Sequence, residues 1–502
     1  SYLLAISSKE MAVTLPAVFF LYDCIHNLPD EGPLLKRCSV SLKKVISRYG
    51  LFYLCFLTVA LLFTGYKAFV KSPSNKVGFY GGDLFVQFLT VGKILVHSIK
   101  LLFYPVNLLA DYSFNSFPLS QSIFESATFL SLLVLCALGF LAVKLLVINR
   151  LMAFAIIWFF VTLLPVCHIF PHHELLAEHY LYLPSFGFVL LVALILEQLL
   201  TFGRWRYALY AVFALVLVLL SVRTVNRNYD WKDSFSIWSK TVKTSPNCAR
   251  ALNNLGIEYY KVKNYVQAEQ LYRRTIEVQP TYEKAFYNLG NIYRVKEDYN
   301  GAIAMYQKAA QLNPKNFRNH NNLGNAYAMM KNFDAASKAF EKALECKPDY
   351  GEAHNNLGNV YRSLGKIDKA VTYYQQAIQL KPLYEDAYTN LVNIYVYLNQ
   401  YEKAIQLLEQ ARSDNPFVPF VHKKLGIVYK QMKQYDEAVI MYERALILEP
   451  ASSEIHNNLG KLHARQNRYQ QAVEHFQKAL DSKPSSPEPH LNLADIYLKQ
   501  LN

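Results

Sequence analysis

The sequence predicts an all-α chain in two parts, a multi-pass membrane helical domain followed by an α-solenoid. Repeated apolar runs with few charges fill residues 1–245, whereas a 34-residue period governs residues 246–502. At 502 residues the chain is long enough for several domains. Its formal charge of +14 divides as +8 for residues 1–245 and +6 for the remainder. A basic excess shared out in this way is not the concentrated stripe that nucleic-acid binding requires, so nucleic acid is excluded as a partner. Seven cysteines occur with no CxxC pair, five of them in the membrane half and Cys248 and Cys346 in separate repeats. Neither a disulfide framework nor a zinc site is expected. Ser1 is not a start methionine and no signal peptide precedes the first apolar stretch, so the chain reads as a fragment that begins inside a larger membrane domain.

Six stretches are apolar enough to span: 11–25, 49–66, 127–148, 151–169, 180–200 and 207–222. A straight crossing helix needs about 20 residues, so 11–25 must borrow from the residues before it. Lys36, Arg37, Lys43, Lys44 and Arg48 fill one loop, Lys144 and Arg150 another, and Arg204 and Arg206 a third. By the positive-inside rule these loops face the cytoplasm. The stretch 170–179 has no Lys or Arg and falls on the opposite side, and with six crossings so does everything after residue 222. Residues 84–109 are apolar but carry Lys93, His97 and Lys100 at helical spacing. That pattern predicts a helix lying in the interface, either with snorkelling lysines or with a phosphate site at the membrane surface.

In the second half Pro246, Pro280, Pro314, Pro348, Pro382, Pro416, Pro450 and Pro484 stand 34 residues apart. Gly256, Gly290, Gly324, Gly358, Gly426 and Gly460 keep the same period, with Val392 breaking their column. An alanine column runs from Ala268 to Ala472, and a bulky column holds Tyr272, Tyr306, Phe340, Tyr374, Leu408, Tyr442 and Phe476. This is the tetratricopeptide signature. Gly and Ala let two antiparallel helices approach, the ring fills the remaining space, and Pro stops the second helix. A single such unit cannot bury its apolar face, so the stack is the stable entity. Seven full repeats are expected from 249 to 486, with the first helix of an eighth after them. Projecting the period backwards puts Trp238 in the ring column, which makes 227–248 a rigid connector and half-repeat between a membrane domain at 1–226 and repeats at 249–502.

Asn254, Asn288, Asn322, Asn356, Asn390, Asn458 and Asn492 also recur at 34 residues, interrupted by Lys424. A second column holds Asn291, Asn325, Asn359 and Asn393. Asparagine is a poor interior helix residue, so something offsets its cost. An amide offers donors and an acceptor together, which suits gripping the backbone of an extended peptide. The alternative is that these amides bridge adjacent repeats or meet water. The peptide-binding O-linked N-acetylglucosamine transferase has a similar asparagine ladder.

"SSKEMAVTLPAVFFLYD" (7–23), "LLFYPVNLLADYSFNSFP" (101–118), "AEHYLYLPSFGF" (177–188) and "RNYDWKDSFSIW" (227–238), followed by tandem repeats, resemble the transmembrane and tetratricopeptide-repeat-containing proteins. That family comprises protein O-mannosyltransferases of the glycosyltransferase C superfamily. The resemblance implies a donor of mannose on a polyprenyl phosphate, dolichyl in eukaryotes, and transfer to Ser or Thr of an acceptor protein held by the solenoid. It implies inversion at the anomeric carbon with a carboxylate as base, an endoplasmic-reticulum membrane location with lumenal repeats (or a plasma membrane in a bacterium), and no nucleotide cofactor. One departure is visible: animal members carry Ala-Glu-Arg where this chain has Ala177, Glu178 and His179. The family's base is expected in a lumenal loop preceding Ser1, leaving Glu178 and Asp111 as the catalytic candidates within this chain.

On this reading His172, His173, Glu178 and His179 sit at the membrane edge where a lipid-linked sugar presents its phosphate, and Lys9, Glu10, Lys93 and His97 face the same layer. Ionisable groups beside spans are costly and point to function. Histidines there could stabilise the departing phosphate, and a carboxylate could bind sugar hydroxyls or a divalent ion. His172, His173 and Glu174 are adjacent, and adjacent residues rarely converge on one ion, so no metal site is assigned. The competing reading is a membrane-anchored, non-catalytic repeat scaffold.

Overall fold

The computed structural model describes residues 15–70, 84–105, 119–164, 178–201 and 203–501. Among these residues there are 23 α-helices and no strands. Contacts divide the chain into two compact units, Ser1–Asn288 and Leu289–Asn502. A solenoid has contacts only between neighbours, so such a division need not fall where the sequence changes character.

The first unit begins with α1 (Leu15–His26), α2 (Leu34–Val70), α3 (Leu84–Phe103), α4 (Ser126–Ile148), α5 (Arg150–Leu163), α6 (Tyr182–Leu200) and α7 (Arg206–Asp230). Helix α5 is the packing centre: Met152, Phe154, Ile156, Phe159 and Leu163 are buried, and α1, α4 and α6 pack against it. Asn149 starts it by accepting from the Met152 backbone N–H at 3.2 Å. Gly187 lets α6 lie directly on α5, because a Cβ there would come within 2.5 Å of the Ala155 carbonyl oxygen. The Trp158 indole N–H donates across the same seam to the Leu183 carbonyl at 2.9 Å. On α4 and α7, by contrast, most apolar side chains point outward, which is what a surface meeting lipid requires.

Among the described residues four helices are long and apolar enough to cross a membrane: α3, α4, α6 and α7. Of the six expected spans, 127–148, 180–200 and 207–222 match α4, α6 and α7, while 151–169 corresponds to α5, which runs only Arg150–Leu163. Residues 49–66 form the apolar end of the long basic-then-apolar helix α2, and 11–25 begins outside the described residues. The main difference concerns α3, expected in the interface. Its Gln87, Thr90 and Ser98 are buried by protein, with Thr90 donating to Val86 O at 2.7 Å and accepting from Ser120 N at 3.0 Å. These groups are sheltered by protein, while Lys93 and His97, on which the interfacial expectation rests, are half-buried and Lys100 is exposed.

Helix α7 carries the "RTVNRNYD" segment to its end without interruption. Asp233 caps the next helix, α8 (Ser234–Thr244), by accepting from Ser236 N at 2.7 Å. Seven helix pairs follow: α9 (Ala249–Lys261) with α10 (Tyr265–Val278), α11 (Glu283–Val295) with α12 (Tyr299–Leu312), α13 (Phe317–Met329) with α14 (Phe333–Cys346), and α15 (Gly351–Ser363) with α16 (Ile367–Leu380). Then come α17 (Glu385–Tyr397) with α18 (Tyr401–Asp414), α19 (Pro419–Gln431) with α20 (Tyr435–Leu448), α21 (Ser453–Arg465) with α22 (Tyr469–Ser482), and a final helix α23 (Pro487–Leu501).

Each pair turns through a residue in the left-handed region, Lys263, Glu297, Lys331, Gly365, Asn399, Lys433 or Asn467. In the first three pairs the next residue caps the second helix: Asn264, Asp298 and Asn332 accept from Gln267, Gly301 and Ala335 N at 3.2, 2.9 and 3.2 Å. The ring column presses on the glycine column of the same pair. A Cβ on Gly358 would stand 2.6 Å from a Tyr374 ring carbon, and one on Gly256 or Gly460 would stand 2.5 Å from Tyr272 or Phe476. Where Val392 replaces glycine, Leu408 replaces the ring, and both are fully buried. The two exceptions are therefore one compensated change. Gly358→Ala is expected to destabilise the array by about 1–3 kcal/mol through overpacking. In a thermal-denaturation double-mutant cycle, Tyr374→Leu should recover part of that loss, as the Val392–Leu408 pair does naturally.

Candidate functional site

Within the unit Leu289–Asn502 a cavity of about 540 Å³ opens between the first helices of successive repeats. Its polar wall is Arg294, Asn322, Asn325, Asn356, Asn359 and Ser363, and Met329 and Phe333 supply apolar surface. The sixth and ninth residues of α13 and α15 thus line this cavity, beside the glycine–ring seam, whose Phe340 also borders it.

The asparagine ladder is made between repeats. Asn288 donates to Asn253 Oδ1 at 2.9 Å, Asn356 to Asn321 at 3.1 Å, Asn390 to Asn355 at 3.0 Å and Asn492 to Asn457 at 2.8 Å. Asn322, whose preceding repeat has Tyr287 at the acceptor position, donates instead to Asn291 Oδ1 at 3.3 Å. Asn458 follows a repeat with Lys423 at that position, which offers no acceptor. The bridging alternative therefore accounts for one N–H of each bonded amide. An amide has two N–H groups and a carbonyl, and Asn322 and Asn356 also border the cavity. The acceptor column Asn253, Asn321, Asn355 and Asn457 was overlooked in the sequence although it lies one residue before the ladder.

The second asparagine column has a different partner. Tyr306 and Tyr374 each donate a hydroxyl hydrogen to Asn291 and Asn359 Oδ1 at 2.7 Å. Burial pushes the Tyr374 hydroxyl up to about 12. In the sixth repeat Ile427 stands where the asparagine would be, and the buried Tyr442 hydroxyl has no partner among the described residues.

In the membrane half, Lys93 and His97 lie one turn apart on α3, both half-buried, with Lys93 in electrostatic reach of Glu125. The chain enters α6 through a short 3₁₀ turn, Glu178–Leu181, whose Tyr180 and Leu181 pack with Ile94, Leu101, Phe159 and Leu163. That packing brings the backbone at Glu178 and His179 close to the α3–α5 pair; the side chains of Glu178 and His179 lie outside the described residues. Lys9, Glu10, Asp111, His172, His173 and Glu174 also lie outside them. Among the described residues no group of three His, Cys, Asp or Glu is placed to hold a metal ion.

Tetratricopeptide-repeat family models match residues 249–282, 290–331, 317–383, 349–414 and 423–487. Protein O-mannosyl-transferase Tmtc3 of Drosophila melanogaster is 31% identical over 176 residues, 34% of this chain and 19% of that protein. Protein O-mannosyl-transferase TMTC3 of Homo sapiens is 26% identical over 185 residues, 36% of this chain and 20% of that one. The chain is a relative of the tetratricopeptide-repeat protein O-mannosyl-transferases. It matches about a fifth of the length of these curated relatives. A solved tetratricopeptide repeat protein from Parabacteroides merdae is similar over 50% of this chain and 98% of its own, at 17% identity and a TM-score of 0.39.

The repeats also carry a histidine column that the sequence reading missed. His320, His354, His422, His456 and His490 each stand six residues after a repeat-ending proline and bond its carbonyl through Nε2, at 2.9–3.2 Å. A carbonyl only accepts, so Nε2 carries the proton. His456 Nδ1 is then bare when the ring is neutral, and it accepts from His475 Nδ1 at 3.1 Å. His463 stacks on His475 at 5.4 Å. Burial, then the neighbouring His456 and His463, hold the His475 ring down at about 4.

Two outcomes follow. Tyr374→Phe strands the Asn359 carbonyl and is expected to cost about 1 kcal/mol in chemical denaturation, whereas Tyr442→Phe removes an unpaired buried hydroxyl and is expected to be neutral or stabilising. Unfolded His475 titrates near its ordinary value of about 6.5, so between that pH and about 4 the unfolded chain holds the extra proton. Stability contributed by this ring is intact above that window and falls as pH falls through it. The pH slope of the melting temperature across the window should flatten in His475→Gln.

Proposed function

We propose that the full-length protein transfers mannose from a polyprenyl phosphate carrier to Ser or Thr hydroxyls of acceptor proteins, and that its repeat array holds the acceptor. The carrying observation is the amide-lined groove: a surface of paired donors and acceptors suits a peptide backbone whatever its side chains. The chemistry rests on the names of the curated relatives, protein O-mannosyl-transferases. Helices long enough to cross a membrane supply the setting that a lipid-linked donor needs.

In this reading the Glu178–Leu181 turn borders the donor site, with Glu178 binding the sugar and His172, His173 and His179 meeting the phosphate as it leaves. Lys93 and His97 on α3 add positive charge to the same layer, and Lys9 and Glu10 face it. Asp111 is the remaining carboxylate candidate for the base within this chain. No divalent ion is assigned. The repeats lie on the membrane side where the donor presents its sugar, in the lumen of the endoplasmic reticulum for a eukaryotic protein. Full-length protein in sealed vesicles loaded with polyprenyl phosphate-mannose should modify acceptors enclosed with the repeats, and those added outside only after detergent. Glu178→Gln is expected to lower transfer at least tenfold, about 1.4 kcal/mol in barrier. Unchanged turnover removes Glu178 from the site, and absence of transfer by the unmodified protein overturns the reading.

A further inference from the structure

The groove changes chemical character along its length. In the third and fourth repeats, positions six, nine and thirteen of the first helix place Asn322 and Asn325, and Asn356, Asn359 and Ser363, on the cavity wall. The same positions in the sixth and seventh repeats hold Lys424, Ile427 and Gln431 on α19, and Asn458, Lys461 and Arg465 on α21; position twelve, Arg362 on α15, is Lys430 on α19. Repeat geometry carries equivalent positions to equivalent places, so a surface lined mainly by amides, with Arg294 at its edge, gives way to one richer in cations on the same face.

The local acids do not fully balance these cations. Lys423 is clamped between Glu454 at 3.1 Å and Glu385 at 3.7 Å. Lys461 reaches Glu488 at 3.1 Å, and Arg465 donates to the Tyr435 hydroxyl at 3.4 Å. Lys430 has no carboxylate within ion-pair distance among the described residues. Burial lowers its affinity for a proton, and Lys461 and Arg465 beside it lower it further. Lys424 is lowered by burial and by Lys423, with Glu385, Glu454 and Asp386 opposing. A half-buried ammonium such as Lys430, with Lys461 and Arg465 beside it and no carboxylate of its own, is costly, and an incoming anion relieves that cost with charge-assisted hydrogen bonds.

We propose that the groove selects acidic polypeptide segments, laid over the amides of the third and fourth repeats and delivering an Asp or Glu carboxylate to Lys430, Lys461 and Arg465. The inference rests on the acceptor-binding reading and narrows it to a class of acceptor. A peptide fits better than a lipid headgroup because the cations continue the columns that line an amide groove, which a headgroup has no need of.

The test is fluorescence anisotropy with full-length protein in detergent and labelled Ser/Thr peptides that carry either Asp and Glu or their amides Asn and Gln. The acidic peptide should bind about tenfold more tightly at physiological salt, with the ratio shrinking as salt rises. Lys430→Gln with Arg465→Gln should abolish the preference while leaving the amide peptide's affinity within about twofold. Asn322→Ala with Asn356→Ala should weaken both peptides alike. Equal affinity for the two peptides overturns the inference without reliance on any variant's folding. A preference that survives the Lys430/Arg465 change overturns it too, as does displacement of the acidic peptide by phosphatidylserine vesicles or inorganic phosphate at matching charge. Mannosyl transfer without acidic preference sinks this inference alone, and acidic preference without transfer sinks only the proposed activity.

Discussion

Six of the seven full repeats depend on one contact, an aromatic ring seated where the facing helix has no Cβ. Gly256, Gly290, Gly324, Gly358, Gly426 and Gly460 let a ring carbon approach to 2.5–2.9 Å of where that Cβ would stand. The separation leaves no room for any other residue while the ring is there. The first helix is consequently locked face-on to the second, and the residues flanking the seam are left to line the groove. Register follows from the same lock, because a helix that rotated by one residue would drive a side chain into the ring. The Val392–Leu408 pair supports this view by keeping the total volume while exchanging its two halves.

Polar chemistry is arranged around that lock. A tyrosine in the ring position brings a hydroxyl into a dry seam, and burying it without a partner is unfavourable. Asn291 and Asn359 provide that partner for Tyr306 and Tyr374. Their amides therefore serve the core and the groove at once. The first asparagine column has a comparable double position, bonded to the preceding repeat on one edge and bordering the cavity on the other. In the sixth repeat Lys424 replaces the first-column asparagine and Ile427 the second, so the groove gains charge and the Tyr442 hydroxyl has no amide partner among the described residues. The partnerless Tyr442 hydroxyl and the crowded Lys430 belong to the same stretch.

The repeat half was legible because its signals are periodic. Proline, glycine, alanine and ring columns at one spacing specify helix, turn and seam without three-dimensional information. The histidine-to-proline bonds and the Asn253, Asn321, Asn355 and Asn457 acceptors share that spacing and could have been found in the same way. The membrane half lacks a repeating pattern, and the shelter that neighbours give α3 was not legible in it. Its Lys93 and His97 suggested water, whereas Thr90 and Ser98 on the same helix are sheltered by neighbours from distant parts of the sequence. The Glu178 turn was singled out from its composition. Its packing partners Ile94, Phe159 and Leu163 come from two other helices and could not be read locally.

By itself the sequence determined the all-helical class, the number and phase of the helix pairs, and the family resemblance. These follow from local periodicity and from residue types whose backbone preferences act within a turn or two. Only the tertiary structure decided which hydrogen of each ladder amide is spent on the neighbouring repeat, why Val392 and Leu408 depart together, and that α3 is sheltered by protein. These depend on contacts between residues far apart in the chain, where distance and burial set the energy and sequence spacing does not.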